Sequence, residues 1–136
     1  MGFSVRFLNE SDYDLLCGWW KFWRFPAPPR DFLPENGLGG LMVVFGETSV
    51  VSGFIYFTNS KICWSEFIVS NNEFKDKEKR KEAIKILIHE INAIAKEKGC
   101  KYIYTVVKNQ NLKKTYQEMG FMDGSVKVDE MVMVLN

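Results

Sequence analysis

The longest helical pattern in the chain lies between residues 76 and 98. Its apolar side chains recur at spacings of three and four residues, which places them on one face of a helix. His89 falls beside this stripe, so we expect it at the surface or half-buried rather than in a catalytic role. Gly99 suits the residue that ends such a helix. The stripe consists of Ile84, Leu87, Ile88, Ile91, Ile94 and Ala95.

Strand patterns lie on both sides of this helix. Three runs rich in β-branched and aromatic residues are joined by the short turns Gly46-Glu47 and Asn59-Ser60, which is the pattern of an antiparallel meander. One strand is predicted before the meander, and two more are predicted after the long helix. The predicted strands cover residues 5–8, 41–45, 50–58, 61–69, 102–107 and 126–135.

A tryptophan-rich helix and a proline-rich loop separate the first strand from the meander. Ser11 followed by Asp14 resembles a capping box, so a helix is predicted to begin there and to end before Pro26. All four prolines lie within residues 25–40, where they block regular structure. The aromatic and leucine residues of the same segment favour packing, and we therefore predict an ordered loop.

Composition narrows the class of protein. With 136 residues, 46% of them hydrophobic, the chain is expected to form one domain over residues 1–136. A formal charge of +1 gives no global field for nucleic acid or membrane, although a local basic cluster can still bind a phosphorylated ligand. No apolar run approaches the roughly 20 residues of a membrane span, so we expect a cytoplasmic protein. One histidine and three scattered cysteines offer neither a zinc site nor a disulfide framework.

A short helix near the C-terminus carries the most informative motif. Asn109 suits its N-cap, Leu112, Tyr116 and Met119 fall on one face, and Gly120 suits the left-handed residue that follows a helix. This Asn-x6-Tyr-x3-Gly-Phe arrangement resembles the last motif of the GNAT superfamily of acyl-CoA-dependent N-acyltransferases. In that family the tyrosine commonly protonates the departing CoA thiolate.

The order of the predicted elements, β-α-loop-β-β-β-α-β-α-β, is also similar to the GNAT fold. The resemblance implies an α/β (α+β) domain in which helices flank a mixed, mostly antiparallel sheet of six to seven strands. It further implies an N-acetyltransferase that moves an acetyl group directly from acetyl-CoA to an amine of an unidentified small or macromolecular acceptor, without a metal. The tryptophan-rich helix and the Pro-Pro…Leu-Pro loop most resemble small GNAT domains found in bacteriophage genomes.

The resemblance also places the CoA site. In the family, glycines after the central strand let backbone N–H groups cradle the CoA pyrophosphate. Here the corresponding residues, which end at Ala83, hold no glycine, and only Ala83 fits the family pattern. Three of these residues, Lys79, Arg80 and Lys81, are cations near the start of the helix, where positive charge opposes the helix dipole. Either a bound polyanion reverses that unfavourable effect, or these cations belong to a solvated charged face. The implied CoA-binding residues are Phe67, Ile68, Val69, Lys79, Arg80, Lys81, Glu82, Ala83 and Asn109, the last of which either contacts the pantetheine arm or only caps its helix.

Acyl transfer to an amine needs a base, donors for the thioester carbonyl and an acid for the thiolate. Some GNAT enzymes use a glutamate on the central strand as base, which corresponds to Glu66. Either partial desolvation in this apolar strand raises the pKa of Glu66, or its side chain points to solvent. Tyr116 is either the acid or an ordinary core aromatic. Backbone N–H groups of residues 67–69 would polarise the carbonyl if the strand splays from its neighbour.

The acceptor pocket is expected among aromatic side chains. Trp19, Trp20 and Trp23 cannot all face one core, so we assign Trp19 and Trp23 to this pocket together with Phe25 and Phe32, since aromatic walls suit flat or cationic acceptors. The alternative to an enzyme is a catalytically degenerate GNAT-fold protein that binds a host protein or nucleic acid, for which the missing glycines are the main support. A third possibility is catalysis with a different CoA thioester.

Overall fold

A five-stranded sheet with the order β1-β2-β3-β4-β5 forms the centre of the computed structural model, which describes all 136 residues. β2 to β4 form the predicted antiparallel meander, β1 pairs antiparallel with β2, and β4 and β5 pair parallel. The strands are β1 Phe3–Phe7, β2 Gly40–Phe45, β3 Thr48–Phe57, β4 Ile62–Ser70 and β5 Tyr102–Tyr104. The helices are α1 Asp12–Phe22, α2 Lys77–Glu97 and α3 Gln110–Glu118.

α2 connects β4 to β5 and packs on one face of the sheet. Four residues of the predicted stripe are buried, with Leu87 fully buried against β2 and β3, while Ile84 and Ile94 are half-buried and Ala83 is buried in addition. His89 is exposed, as its position beside the stripe predicted. The carboxylate of Asp76 caps the helix by accepting the N–H of Lys79 at 3.1 Å.

α1 covers the opposite face of the sheet. Its Leu16, Trp19 and Trp20 pack with Met42 and Phe54, which alternate along β2 and β3 with the residues that face α2. The predicted capping box does not form, because the Ser11 side chain makes no capping hydrogen bond. Instead Asp12 accepts the N–H of Asn9 and pairs with Arg6, both at 2.7 Å.

The proline-rich segment is an ordered loop packed on the sheet. It contains two short 3-10 helices, Arg30–Phe32 and Pro34–Gly37, and buries Leu33. Two tyrosines hold it: the hydroxyl of Tyr13 donates to the Pro28 carbonyl at 2.7 Å, and that of Tyr56 donates to the Phe32 carbonyl at 2.8 Å. The loop therefore has a fixed position beside β3.

The last predicted strand is wrong, and the sheet has five strands instead of six to seven. Residues 122–136 contain no regular structure, and their apolar side chains are exposed, with Met131 at 91% and Leu135 at 83%. β-propensity alone does not make a strand, because a strand is stabilised by its cross-strand neighbours. Lys127 has a left-handed backbone (φ 56°), which interrupts extension, and β5 is only three residues long.

The three cysteines are free thiols in the structure. None of its helices combines the length and the apolar character needed to cross a membrane.

Candidate active site

The parallel strands β4 and β5 separate after a short paired stretch. Their register runs from Ile62↔Tyr102 to Trp64↔Tyr104, and no residue beyond Trp64 pairs with β5. Across the resulting gap, Oε1 of Glu66 accepts the N–H of Val106 at 2.9 Å. The β5 side of residues 65–70 is thus unpaired, and backbone groups of β4 are left free for a bound molecule.

A β-bulge in β4 lies beside this gap. Ser52 pairs with Val69 and Phe54 pairs with Glu66, so β4 has one more residue than β3 between these two pairs. Phe67 at the bulge has a left-handed backbone with φ 58°, a conformation that costs a non-glycine residue of order 1–3 kcal/mol. Because the extra residue breaks the alternation, both Glu66 and Phe67 lie on the α1 side of the sheet.

Aromatic packing holds the Phe67 ring in place. Four rings lie around it, with centroid separations from 6.2 to 6.4 Å. They come from α1, the loop and β3, so three parts of the chain fix the bulge. These rings belong to Trp20, Phe25, Phe32 and Tyr56.

Glu66 is a half-buried carboxyl at the gap. Of the two alternatives from the sequence, a partly desolvated side chain or one that points to solvent, the structure has the first. Burial raises the pKa of Glu66 to about 7, while the hydrogen bond from Val106 acts against this rise and the nearby charge of Glu130 adds to it. Near neutral pH the side chain therefore exists in both protonation states, which is the property a general base requires.

Tyr116 lies on the α2 side of the same gap, opposite the face that carries Glu66. Its side chain is 4% exposed, and Phe121 packs on its ring at 4.9 Å. Burial raises the pKa of Tyr116; the neighbouring hydroxyls of Thr105 and Ser65 act against the rise, and the charge of Glu66 adds to it. Tyr116 is therefore a core aromatic whose hydroxyl stays protonated at neutral pH and sits next to the residues that line the gap.

The cap of α3 fixes the position of Tyr116. Oδ1 of Asn109 accepts the N–H of Leu112 at 3.0 Å, and Gly120 ends the helix with φ 100°. The structure thus shows the capping role of Asn109.

A shallow cavity of about 440 Å³, widely open to solvent, lies on the α1 side, beside Glu66. Aromatic rings form most of its wall, and Trp64 is braced by Tyr104 at a centroid separation of 4.9 Å. Sequence reasoning missed three lining residues, Asp31, Tyr56 and Trp64. One of them, Trp64, could have been predicted from the sequence, because residues two apart on a strand share a face and Trp64 therefore lies on the side of Glu66. The lining residues are Asp31, Phe32, Tyr56, Trp64, Glu66 and Phe67.

Of the four side chains assigned to an acceptor pocket, only Phe32 lines this cavity. Trp19 is 4% exposed and belongs to the core between α1 and the sheet, so the structure does not bring it to the site. Trp23 lies at the surface and donates its indole N–H to the Ser70 carbonyl at 2.9 Å, at the end of β4. Phe25 contacts the Phe67 ring from outside the cavity.

The cationic segment lies inside α2 and not in the turn before it. The turn is residues 71–76, whereas Lys79 to Ala83 occupy the first two turns of the helix. Lys81 lies 3.6 Å from the carboxylate of Glu118 on α3, so part of its charge is neutralised, and Lys79 lies over the Phe45 ring at 5.0 Å.

The remaining members of this segment differ in their exposure. Arg80 makes no ion pair and is half-buried, and Glu82 is exposed. The Ala83 side chain is buried in the core, so it faces away from any ligand at the helix surface. Ile68 and Val69, which follow the bulge, pack on the α2 and α1 sides respectively.

The site holds no arrangement of three or more histidine, cysteine or acidic side chains that fits a metal ion, and neither does the rest of the chain.

Comparison with models of protein families finds no match for the sequence, and comparison with curated proteins finds none either. Solved structures do match. A GNAT family acetyltransferase from Staphylococcus aureus superposes with a TM-score of 0.60 at 17% identity, over 97% of this chain and 100% of the other. The chain has the GNAT fold.

Two further structures with this fold extend the comparison. The ribosomal-protein-S18-alanine N-acetyltransferase of Escherichia coli has a TM-score of 0.72 at 11% identity, over 90% of this chain and 79% of that one. AAC(6')-Iy, in complex with the bisubstrate analogue CoA-S-monomethyl-acetylneamine, has a TM-score of 0.67 at 15% identity, over 98% and 100%. At such low identity these superpositions show a common fold alone. The function of this chain therefore has to be argued from its own site.

Proposed function

We propose that this protein is an N-acetyltransferase that moves an acetyl group directly from acetyl-CoA to an amine. The observation that carries the proposal is the meeting of Glu66 and Tyr116 at the gap between β4 and β5, one from each face of the sheet. The GNAT fold supports it, as does the CoA-containing analogue bound to AAC(6')-Iy.

In this mechanism Glu66 takes a proton from the acceptor ammonium, directly or through one water, and leaves a neutral amine. The amine nitrogen attacks the thioester carbonyl carbon, and the C–S bond breaks as the amide forms. Tyr116 gives its phenolic proton to the CoA thiolate, and the second proton of the attacking nitrogen passes through water to the resulting tyrosinate, which restores the phenol. Backbone N–H groups of residues 67–69, next to the unpaired edge of β4, would polarise the carbonyl oxygen.

The proposed position of CoA follows from the same gap. The pantetheine arm would enter between β4 and β5 and reach the N-terminus of α3 at Asn109. The phosphates would lie at the start of α2, where Lys79, Arg80 and Lys81 supply positive charge and the first backbone N–H groups have no partner within the helix. The resemblance to bacteriophage GNAT domains rests on α1 and the proline-rich loop, which adjoin the acceptor cavity and not the phosphate side.

One observation favours a second candidate, a GNAT-fold protein that binds a host protein or nucleic acid without catalysis. The turn before α2 has no glycine, and the Asp76 carboxylate already occupies the N–H of Lys79. A negative charge at this position repels phosphate, because it takes the place that an anion has at a helix N-terminus. Catalysis with a different CoA thioester is a variant of the first candidate.

Calorimetric titration with acetyl-CoA separates the two candidates. We expect saturable binding, and then acetylation of at least one member of a panel of amines, peptides and modified nucleotides, detected by mass spectrometry as the replacement of one hydrogen atom by an acetyl group. Absence of CoA binding together with absence of any acetylated acceptor would replace the enzyme by the binding protein. Binding of acetyl-CoA with transfer only from a longer thioester would change the acyl group and leave the reaction class intact.

A further inference from the structure

We propose that the acceptor is a small diamine or polyamine, with Asp31 binding the ammonium group that does not react. This inference rests on the proposed acetyl transfer and specifies the substrate class of that site. Its basis is that one cavity is lined by two acidic residues, Asp31 and Glu66, and otherwise by aromatic side chains.

The acidic residues of the cavity disfavour anionic acceptors. Its lining includes two acidic residues, Asp31 and Glu66, and no basic residue. Glu130 adds a further negative charge close to Glu66. An acceptor with a carboxylate, such as a free amino acid, would place like charges together in a partly desolvated site, where their repulsion is strong.

Asp31 is a free charge in this structure. It takes part in no ion pair, and its neighbour Arg30 is directed elsewhere, 3.8 Å from Glu10 and 4.3 Å from the Tyr13 ring centroid. The hydrogen bond from Tyr56 to the Phe32 carbonyl fixes the backbone next to Asp31. Asp31 is thus an exposed, unpaired carboxylate on an anchored backbone at the edge of the cavity, where it is available to a ligand cation.

The walls and the size of the cavity fit the rest of such a molecule. The rings of Phe32, Tyr56, Trp64 and Phe67 offer apolar surface for methylene groups and negative ring faces for an ammonium group. A volume of about 440 Å³ lies within the range of small-molecule sites. Glu66 would then accept a proton from the reacting nitrogen while Asp31 holds the distal one.

Kinetics with three matched amines test this assignment: 1,4-diaminobutane, butylamine and 4-aminobutanoate, each with acetyl-CoA. We expect kcat/KM to be several-fold higher for the diamine than for butylamine, as one additional ion pair with an exposed carboxylate provides, and lowest for the amino acid. Raising the salt concentration should reduce the advantage of the diamine, because part of it comes from an exposed charge. Equal kcat/KM values, or a preference for the amino acid, would overturn the inference.

The variant Asp31→Asn localises the effect. It should lower kcat/KM for the diamine several-fold more than for butylamine, since only the diamine uses that carboxylate. Glu47→Gln is the control. Glu47 is exposed in the β2–β3 turn, away from the cavity, and this substitution also removes one negative charge. Equal losses for both amines in Asp31→Asn, or the same selective loss in Glu47→Gln, would contradict a contact at Asp31.

Direct binding of the two amines, measured by calorimetry in the presence of CoA, separates this inference from the proposed function. If no amine is acetylated but the diamine binds more tightly than butylamine in a way that depends on Asp31, acetyl transfer fails and the cation site stands. If amines are acetylated and neither binding nor kcat/KM distinguishes the diamine, the cation site fails and acetyl transfer stands. If neither is seen, both fail.

Discussion

The two sides of the β4–β5 gap are built in different ways. On the acceptor side, strands, a bulge and five interlocked aromatic rings fix the cavity that Glu66 lines. On the phosphate side, long charged side chains lie on the first turns of α2, and the cluster is partly neutralised by Glu118. One side is defined by packing, and the other by flexible charges in contact with water.

This difference has consequences for how each side would act on a ligand. Groups held by packing keep their geometry and their perturbed pKa, so the acceptor side can provide chemistry and selectivity. Exposed cations provide attraction that depends on salt and little geometric selection. The shared support of both sides is α2 with its core, so damage to α2 should affect both sides at once.

Removing the shared support should have the largest effect. Leu87→Ala deletes a fully buried side chain between α2 and the sheet, so it should lower the free energy of unfolding by about 2–5 kcal/mol, measured by urea denaturation. His89→Ala, two residues further along the same helix and exposed, should cost little. Equal stability of the two variants would contradict the assigned face of α2.

At the gap itself, Tyr116→Phe should lower kcat by about 10²-fold, because it removes the acidic proton while retaining the ring. The midpoint of thermal unfolding and the Kd for acetyl-CoA should remain close to wild type. Tyr104→Phe is the matched control, since Tyr104 is an exposed phenol on β5 that only braces Trp64. A wild-type rate for Tyr116→Phe with a verified acceptor would remove its role as acid.

On the acceptor side, kcat/KM of the wild type should rise with pH around pH 7, and Glu66→Gln should abolish that rise, because it reports loss of the Glu66 proton. Stability gives an independent readout. The folded state raises the pKa of Glu66 from 4.5 to about 7, so its contribution is complete below pH 4.5 and is lost as the pH rises through 7.

Thermal unfolding midpoints of the wild type and of Glu66→Gln, measured at several pH values, test the sign of this effect. The wild type should lose stability relative to Glu66→Gln between pH 4.5 and about 7. A constant difference between the two proteins over that range would mean that the pKa of Glu66 is not raised by folding.

On the phosphate side, the combined replacement of Lys79, Arg80 and Lys81 by Ala should weaken acetyl-CoA binding several-fold at low salt and less at high salt. The control is the combined replacement of the exposed Lys96, Lys98 and Lys101 near the other end of α2, which removes the same charge. If calorimetry gives unchanged affinity for the first triple variant, or equal losses for both, the cations of α2 have no phosphate role.

Much of the fold could be predicted because its signals are local. The stripe of α2, the meander and the capped helix that carries Tyr116 agree with the structure to within a few residues. The prediction of the last strand failed because its pattern reports only local β-propensity, whereas a strand also needs a neighbouring strand to pair with. The sequence placed Glu66 on β4 and left its environment undecided.

The sequence by itself determined which residues form α2, α3 and β2 to β4, since periodicity, caps and turn residues act between near neighbours in the chain. Only the tertiary structure decided that β4 leaves β5 after Trp64, that Glu66 and Phe67 share a face, and that Asp31 comes to the same cavity. The physical reason is that burial, strand register and pKa depend on residues far apart in the chain, such as Val106 beside Glu66 and Tyr56 beside the loop.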